Sequence, residues 1–142
     1  MTENCIFCKV VKNEIPRQML YETEEVLVFL NIKPLSPGHA LVVPKKHFSS
    51  LQVIPPAEND AVMNVVQKVA LPLAKAAGAE SYNLILNNDV VAGQSIPHLH
   101  WHIIPRTTQD GLFDWEQFGT REYADGEWES YGEQIRTKLS DL

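Results

Sequence analysis

Apolar and polar residues alternate with two different periods along this chain, and these periods predict its secondary structure. Runs with a period of two, typical of half-buried strands, predict strands over 18–21, 26–30, 39–43, 82–87 and 98–104. A period near 3.6 predicts one long helix that follows Pro55-Pro56 and ends at Gly78. The buried stripe expected for this helix is Val62, Val65, Val66, Val69, Leu73 and Ala77.

Two shorter helical patterns lie near the ends of the chain. One covers residues 5–11 and follows Asn4, a candidate N-cap. The other aligns apolar residues near the C-terminus, namely Trp128, Tyr131, Ile135 and Leu139. Together the elements predict an α+β fold: a five-stranded antiparallel sheet with one main helix packed on it, a short N-terminal helix and a C-terminal helix.

Length and composition predict one domain and narrow the class of partner. The 142 residues, 44% hydrophobic and 21% charged, suit a single domain with its own core. We expect residues 1–106 to form this core and residues 107–142 to be a C-terminal extension that carries the last helix. The net charge of −6 argues against a nucleic acid polymer as partner. No apolar stretch could cross a bilayer and residues 1–5 do not resemble a secretory signal, so we expect no membrane partner and a cytoplasmic location.

Three histidines alternate with apolar residues near the end of the predicted sheet. In a strand, His98, His100 and His102 would share one face, with neighbouring positions about 6.6 Å apart and the outer two about 13 Å apart. A single ion with bonds near 2.1 Å does not readily bind three imidazoles spread over that distance. At least one imidazole is therefore available for other chemistry. An ordinary half-buried strand would rarely carry three histidines in register, and we favour a functional site.

Cys5 and Cys8 form a C-x-x-C pair, which has several interpretations. A structural disulfide is disfavoured in a cytoplasmic protein, and a thioredoxin-like redox motif would need a βαβ context. The two cysteines could also be small buried apolar residues beside Phe7. We favour a structural zinc site that ties the N-terminal segment to the sheet. Tetrahedral zinc needs two further ligands, and His47 and one end of the histidine run are the best candidates.

The segment Gly93-Gln94-Ser95-Ile96-Pro97 followed by the alternating histidines resembles the signature of the histidine triad (HIT) superfamily of nucleotide-binding proteins. The similarity also covers 5–8, 29–32, 36–39 and 43–47, and it is strongest to the nucleoside phosphoramidase (Hint-like) branch. The resemblance implies a homodimer with a continuous sheet. It also implies hydrolysis of purine nucleoside phosphoramidates, or related derivatives of AMP, at the α-phosphate through a covalent nucleotidyl-histidine. The implied partner is thus a small nucleotide, such as AMP, GMP or a derivative.

The resemblance also implies roles for individual residues. His100 corresponds to the nucleophile, His102 to a ligand of the α-phosphate oxygens, and Ser95 to a contact of the phosphate and leaving group. His98 corresponds to the triad member that coordinates metal together with the equivalents of Cys5, Cys8 and His47 in zinc-bearing relatives. The implied substrate-binding residues are Phe29, Leu30, Asn31, Ile32, Asn87, Gly93, Gln94, Ser95 and His102. The backbone N–H groups of residues 93–95 are expected to stabilise the phosphoryl charge.

One position departs from the pattern. Many relatives carry an aspartate that binds the ribose hydroxyls where this chain has Asn31. An amide loses the charge-assisted hydrogen bonds, which are roughly twice as strong as neutral ones. Sugar affinity is therefore expected to differ from that of the aspartate-bearing relatives.

Three alternatives to the phosphoramidase remain open at this point. A dinucleoside polyphosphate hydrolase would use the same histidines with different loops. A nucleotide-binding interaction module without catalysis would not need an unligated imidazole at His100. A hydrolytic zinc enzyme based on two adjacent triad histidines is disfavoured, because the cysteines and His47 offer the metal a closed set of ligands.

Overall fold

The computed structural model describes residues 2–114 and 116–142, which fall into two compact units that meet between Asp110 and Gly111. The first unit contains α1 (Ile6–Val11), β1 (Met19–Glu22), β2 (Val26–Leu30), β3 (Ala40–Pro44), α2 (Pro56–Ala76), β4 (Ser81–Leu86) and β5 (Trp101–Arg106). The second unit contains α3 (Glu127–Leu139). Short 3₁₀ turns lie at Thr2–Asn4, Val90–Ala92 and Glu116–Phe118.

The strands form one sheet of five in the order β1-β2-β3-β5-β4, and all neighbouring pairs are antiparallel. This confirms the predicted α+β fold. Strand residues alternate between two apolar clusters because successive side chains point to opposite faces. On one face α2 packs on Val26, Val28, Ala40, Val42, Leu99, Trp101 and Ile103. On the other face Phe7, Cys8 and Val10 of α1 pack with Leu27, Phe29, Leu41 and Val43.

The long helix confirms the predicted element but not all of its predicted buried stripe. Pro56 occupies the first turn, where a missing N–H is tolerated, and Gly78 follows the C-terminus with a φ of +82°. Beyond Val66 the fully buried positions are Ala70 and Ala74. The predicted Val69, Leu73 and Ala77 are only half-buried. Small alanines thus occupy the fully buried positions of this half of the helix, and the larger Val69 and Leu73 are next to them in the sequence.

Most elements differ from their predicted bounds by one or two residues, and two boundaries differ for a reason seen in the structure. The N-cap of α1 is Cys5, whose side chain makes no capping bond, because Asn4 belongs to the preceding 3₁₀ turn. The last strand begins at Trp101 rather than at residue 98. Before it, the chain is held by irregular bonds: the His98 N–H donates to Ile96 O at 2.8 Å and the Leu99 N–H to Phe48 O at 2.7 Å.

Two prolines that lie just beyond the predicted strands, Pro44 and Pro105, are part of the observed ones. Pro44 is the last residue of β3 and pairs with Val26. Pro105 lies within β5 and pairs with Tyr82. The ladder between β3 and β5 covers only residues 101–103 of β5. A proline beyond that point removes no donor from this ladder.

Gly38 brings the loop before β3 against the end of α2. Its φ is +84°, and a Cβ built there would lie 2.5 Å from the Cβ of Ala77. A side chain at this position would therefore require both a disfavoured backbone conformation and a shift of the helix. Gly38 thus allows the loop that precedes His39 to pack closely against the C-terminal end of α2.

The second unit consists mainly of α3, which is amphipathic as predicted. Acidic residues Glu127 and Glu129 occupy its first turn and basic residues Arg136 and Lys138 its last, as the helix dipole favours. The predicted apolar residues Trp128, Tyr131, Ile135 and Leu139 all lie on this helix, and each is between 45% and 67% exposed. Among the described residues, no helix combines the length and apolarity that crossing a membrane would require.

Candidate active site and metal centre

The ring of His100 is fixed by a bond to the backbone two residues earlier. Its Nδ1 lies 2.8 Å from His98 O. A carbonyl oxygen can only accept, so Nδ1 carries the hydrogen and Nε2 keeps its lone pair. Burial lowers the pKa of His100, and the bond to His98 O opposes this shift only partly. The side chain therefore presents an unprotonated Nε2, which is the nucleophilic form of imidazole.

His102 has the opposite tautomer because of a buried histidine that the sequence analysis gave no role. The Leu35 N–H donates to Nδ1 of His39 at 3.0 Å, so the hydrogen of His39 resides on Nε2. That Nε2–H donates to Nδ1 of His102 at 2.9 Å. The hydrogen of neutral His102 is therefore on Nε2. Burial, followed by the charges of His100 and His39, lowers the pKa of His102 to about 4, so the ring is a neutral donor at pH 7.

His39 could have been recognised from the pairing of strands. Leu41 lies directly opposite His102 in the β3–β5 ladder. His39 stands two residues before Leu41, so its side chain lies on the same face of the sheet as those of Leu41 and His102. It is 2% exposed, and burial lowers its pKa. The sequence contains the repeating pattern within each strand, but the neighbour relation between β3 and β5 had to be known to connect these two histidines.

A cavity of about 330 Å³ opens beside these rings. It brings together seven of the predicted site residues: Phe29, Leu30, Asn31, Ile32, Ser95, His100 and His102. A second wall, which sequence analysis missed, comes from α1 and the segment after it: Ile6, Phe7, Val10, Ile15, Pro16 and Arg17. The amphipathic pattern of residues 5–11 is the signal that could have indicated this wall. An apolar cavity with polar groups at one end suits a flat base joined to a phosphate.

Asn31 lines this cavity with an amide of fixed orientation. Its Oδ1 accepts the Lys33 N–H at 3.0 Å, which fixes the orientation of the amide. The two Nδ2 hydrogens and the second lone pair of Oδ1 are left for a ligand. A sugar hydroxyl in contact with Asn31 can therefore accept from Nδ2, and it meets no charged acceptor there.

The polar groups of the loop before the histidines bond largely to one another. The Gln94 side chain accepts the Asp89 N–H at 2.7 Å and donates to Ser49 O at 2.8 Å and to Ile96 O at 3.0 Å. The backbone N–H groups of Gly93 and Gln94 donate to carbonyls of the same loop.

Three of the predicted substrate-binding residues therefore lie away from the cavity. Asn87, Gly93 and Gln94 are absent from its lining, whereas Ser95 is part of it. The backbone N–H groups of residues 93–95 were expected to stabilise phosphoryl charge. Those of Gly93 and Gln94 are already bonded within the loop, which leaves the N–H of Ser95. Among the described residues it makes no intramolecular hydrogen bond. Tight turns of this kind must pair their own backbone groups, which the sequence motif alone does not indicate.

The four predicted metal ligands come together at the His98 end of the histidine run. The ligand atoms of Cys5, Cys8, His47 and His98 all lie within 4.8 Å of one another. Cys5 Sγ and Cys8 Sγ are 3.5 and 3.6 Å from His98 Nδ1, and Cys8 Sγ is 3.4 Å from His47 Nδ1. A zinc tetrahedron with ordinary bond lengths has S···N edges of about 3.6 Å.

The chemistry of these donors also fits a zinc ion. His98 Nε2 donates to Pro44 O at 2.8 Å, which directs the Nδ1 lone pair at the sulfurs in the way metal-bound histidines are usually oriented. Burial lowers the pKa of His98 to about 4 and lowers that of His47, so both rings are neutral. Burial and the adjacent Cys5 raise the pKa of the Cys8 thiol to about 11. Such a thiol becomes a thiolate near neutral pH when a cation stabilises it.

Comparison with known proteins gives consistent matches. The family model described as the HIT domain matches residues 12–109. The adenosine 5′-monophosphoramidase hnt1 of Schizosaccharomyces pombe is 38% identical over 138 residues, which are 96% of this chain and 98% of that protein. The crystal structure of SMU.412c from Streptococcus mutans has a TM-score of 0.86 at 33% identity, covering 96% of this chain and 85% of the other. A Zn-bound histidine triad family protein from Mycobacterium smegmatis has a TM-score of 0.75 at 30% identity, covering 100% and 97%.

Proposed function

This chain belongs to the HIT domain family, and from that premise we propose that it is a hydrolase of purine nucleoside phosphoramidates or related derivatives of AMP. The observation that carries the proposal is the pair of tautomers in the cavity. His100 offers a lone pair on Nε2, and His102 offers a hydrogen on Nε2. A nucleophile next to a fixed donor suits displacement at a negatively charged phosphorus.

The reaction takes two displacements. Nε2 of His100 attacks the α-phosphorus, the P–N bond to the leaving group breaks, and the leaving nitrogen takes a proton from water and departs as an amine. Water then attacks the phosphorus of the nucleotidyl-His100, the bond to Nε2 breaks, and the nucleoside monophosphate leaves. The His102 Nε2–H and the Ser95 N–H donate to the non-bridging oxygens, whose charge must be stabilised in both transition states. The apolar walls beside Phe29 and Phe7 hold the base.

We propose that Cys5, Cys8, His47 and His98 hold a structural zinc ion. When bound, the ion stabilises the two thiolates and links the N-terminal segment to the sheet. The donor geometry and the Zn-bound relative support this assignment. Elemental analysis of protein purified without chelators is expected to give one zinc per chain, and protein without metal would contradict the assignment.

We also propose the homodimer implied by the family. Strand β4 is an edge of the sheet, and its Leu84 is 41% exposed. An edge strand with exposed apolar side chains pairs readily with another strand. Light scattering coupled to size-exclusion chromatography is expected to give twice the mass of the chain, and a monomer at micromolar concentration would contradict this.

The covalent step is the sharpest test of the proposed function. Intact-mass spectrometry after rapid quenching with adenosine 5′-phosphoramidate is expected to show one nucleotidyl adduct, which peptide mapping assigns to His100. The variant His100→Asn should bind AMP yet form no adduct and no product. An adduct that persists in this variant would place the nucleophile elsewhere. Faster turnover of diadenosine tetraphosphate than of the phosphoramidate would favour the dinucleoside polyphosphate hydrolase.

A further inference from the structure

The proposed nucleotide cavity and the proposed metal site share one short helix. Cys5 is the N-cap of α1 and Cys8 lies within it, so both thiol ligands belong to this segment. Phe7 lies between them and lines the cavity. The ring centroid of Phe7 is 5.0 Å from that of His100 and 5.6 Å from that of Phe29, both with edge-to-face geometry. The same residue thus contacts the nucleophile and the base wall.

The position of α1 depends on contacts outside the helix. It has only six residues, and the side chain of its N-cap, Cys5, makes no capping bond to the helix. A helix of that length is not stable by itself. Its C-terminal end is fixed by Arg17, which donates to Val10 O at 2.8 Å and to Val11 O at 3.1 Å. At its N-terminal end, the side-chain polar contacts among the described residues are those of Cys5 and Cys8 with His47 and His98, which lie just after β3 and just before β5.

We infer that metal and nucleotide bind cooperatively, and that Phe7 transmits the coupling. A bound ion fixes the N-terminal half of α1 and therefore the Phe7 wall of the cavity. A base packed against Phe7 favours the same position of α1 and so retains the ion. This inference rests on the proposed nucleotide and zinc sites. Because coupling between two sites is reciprocal, each ligand must raise the affinity of the other by the same factor.

Calorimetry with AMP as the probe tests the coupling directly. The zinc-loaded protein is expected to bind AMP at least tenfold more tightly than the chelator-treated protein, within the usual range for coupled sites. Saturating AMP should lower the dissociation constant of Zn²⁺, measured by chelator competition, by the same factor. Equal AMP affinities in the two metal states would overturn the inference. If neither state bound AMP, the proposed function would fail instead.

Two variants test the path through Phe7. Phe7→Leu keeps an apolar side chain but loses the ring contacts, and the zinc effect on AMP affinity should fall to less than threefold. Ile32→Ala is the matched control, because Ile32 lines the same cavity from the loop after β2 and does not belong to α1. It should weaken AMP binding in both metal states while preserving their ratio. If zinc raised the AMP affinity by the same factor in Phe7→Leu and in wild type, the role of Phe7 in the coupling would be overturned.

If chelation unfolds the protein, the rate of zinc transfer to a chelator gives the same information without isolating the metal-free form. AMP should slow this transfer in wild type and in Ile32→Ala but not in Phe7→Leu. A uniform slowing in all three proteins would show that AMP acts only by stabilising the folded state, and it would overturn the role of Phe7.

Discussion

At the scale of single residues, His39 determines which nitrogen of His102 carries hydrogen. It does so without lining the cavity, through one bond from the Leu35 N–H and one bond to His102. Burial lowers the pKa of both His39 and His102, so the neutral form of each ring is favoured. The donor that faces the phosphate is therefore set by hydrogen-bond direction rather than by charge.

Replacing His39 should impair catalysis more than binding. His39→Leu removes the donor to His102 Nδ1, so His102 can adopt the tautomer without a hydrogen on Nε2. We expect kcat for adenosine 5′-phosphoramidate to fall on the order of 100-fold, as when a catalytic histidine loses its orienting partner. His39→Gln places an amide nitrogen near the position of Nε2 and should recover much of the loss. Equal activities of the two variants would contradict the tautomer argument, and the AMP dissociation constant serves as the control for binding.

Asn31 makes a prediction about the sugar. Because its Oδ1 already accepts the Lys33 N–H, Asn31→Asp would add a charged acceptor where the wild type has a donor. A hydrogen bond to a charged group stabilises more than a neutral one, by about 1 kcal/mol. AMP affinity should rise roughly fivefold, with a smaller change for 2′-deoxy-AMP. Calorimetry with both nucleotides measures this, and unchanged AMP binding would contradict a sugar contact at this position.

At the scale of elements, the loop over 89–95 is a preformed turn that presents Ser95. Asp89 has a φ of +77°, which is unusual for a residue with a side chain. It is held there by the bond from its N–H to Gln94 and by its own carboxylate, which accepts the Val90 N–H. Gln94 thus connects the strained residue to the Ser49 and Ile96 carbonyls, and its role is to position the loop.

Replacing Gln94 with Met should release this loop. The variant leaves the Asp89 N–H and the Ser49 and Ile96 carbonyls without their partner. Because Asp89 and Ser49 are exposed, water replaces part of the lost bonding, and we expect a loss of about 1 kcal/mol. Urea unfolding should show that loss. The kcat should fall as well, because Ser95 is no longer held at the cavity. Gln94→Glu keeps the acceptor for Asp89 but not the donors, so its stability should lie between those of Gln94→Met and wild type. Wild-type stability in Gln94→Met would contradict the role.

The elements themselves were largely predictable from local patterns, and the way they meet was not. The strand over Val26–Leu30 has the predicted bounds because its apolar run is buried on both faces. The last strand was predicted three residues too early, since the alternation of His98, Leu99 and His100 continues beyond the ladder. The alternation correctly indicated which side chains share a face. It could not show that the N–H groups of His98 and Leu99 donate instead to Ile96 and Phe48.

The candidate site shows the same division. The grouping of Cys5, Cys8, His47 and His98 was predicted from the C-x-x-C pair, with His98 implied by the family resemblance, and the structure brings these four residues together. Phe7 and His39 were missed as site residues because their contacts are with distant segments. The family resemblance implied Gln94 as a substrate-binding residue, whereas in the structure its amide donates to the Ser49 and Ile96 carbonyls. In a tight turn, two residues that are adjacent in sequence can direct their side chains to different places.

At the scale of the whole molecule, the fold holds a group of buried neutral histidines. Burial is the largest cause of the lowered pKa values of His39, His98, His100 and His102. The unfolded chain exposes the same rings at their ordinary value of 6.5. The folded protein therefore binds fewer protons than the unfolded chain as the pH falls below this value. At each of these sites the free energy of unfolding decreases with decreasing pH.

This linkage predicts acid destabilisation, and His102 allows its size to be measured. Above pH 6.5 the ring is neutral in both states and has no effect. As the pH falls from 6.5 towards about 4, the unfolded chain binds a proton that the folded protein does not, so the free energy of unfolding decreases. Below about 4 the folded ring is also protonated and the loss levels off, at no more than about 3 kcal/mol. His102→Asn removes the titrating group and keeps an acceptor for His39. In urea unfolding of zinc-loaded protein from pH 7.5 to 4, stability should therefore fall less steeply in the variant than in wild type, and parallel curves would show that His102 is not held neutral by burial.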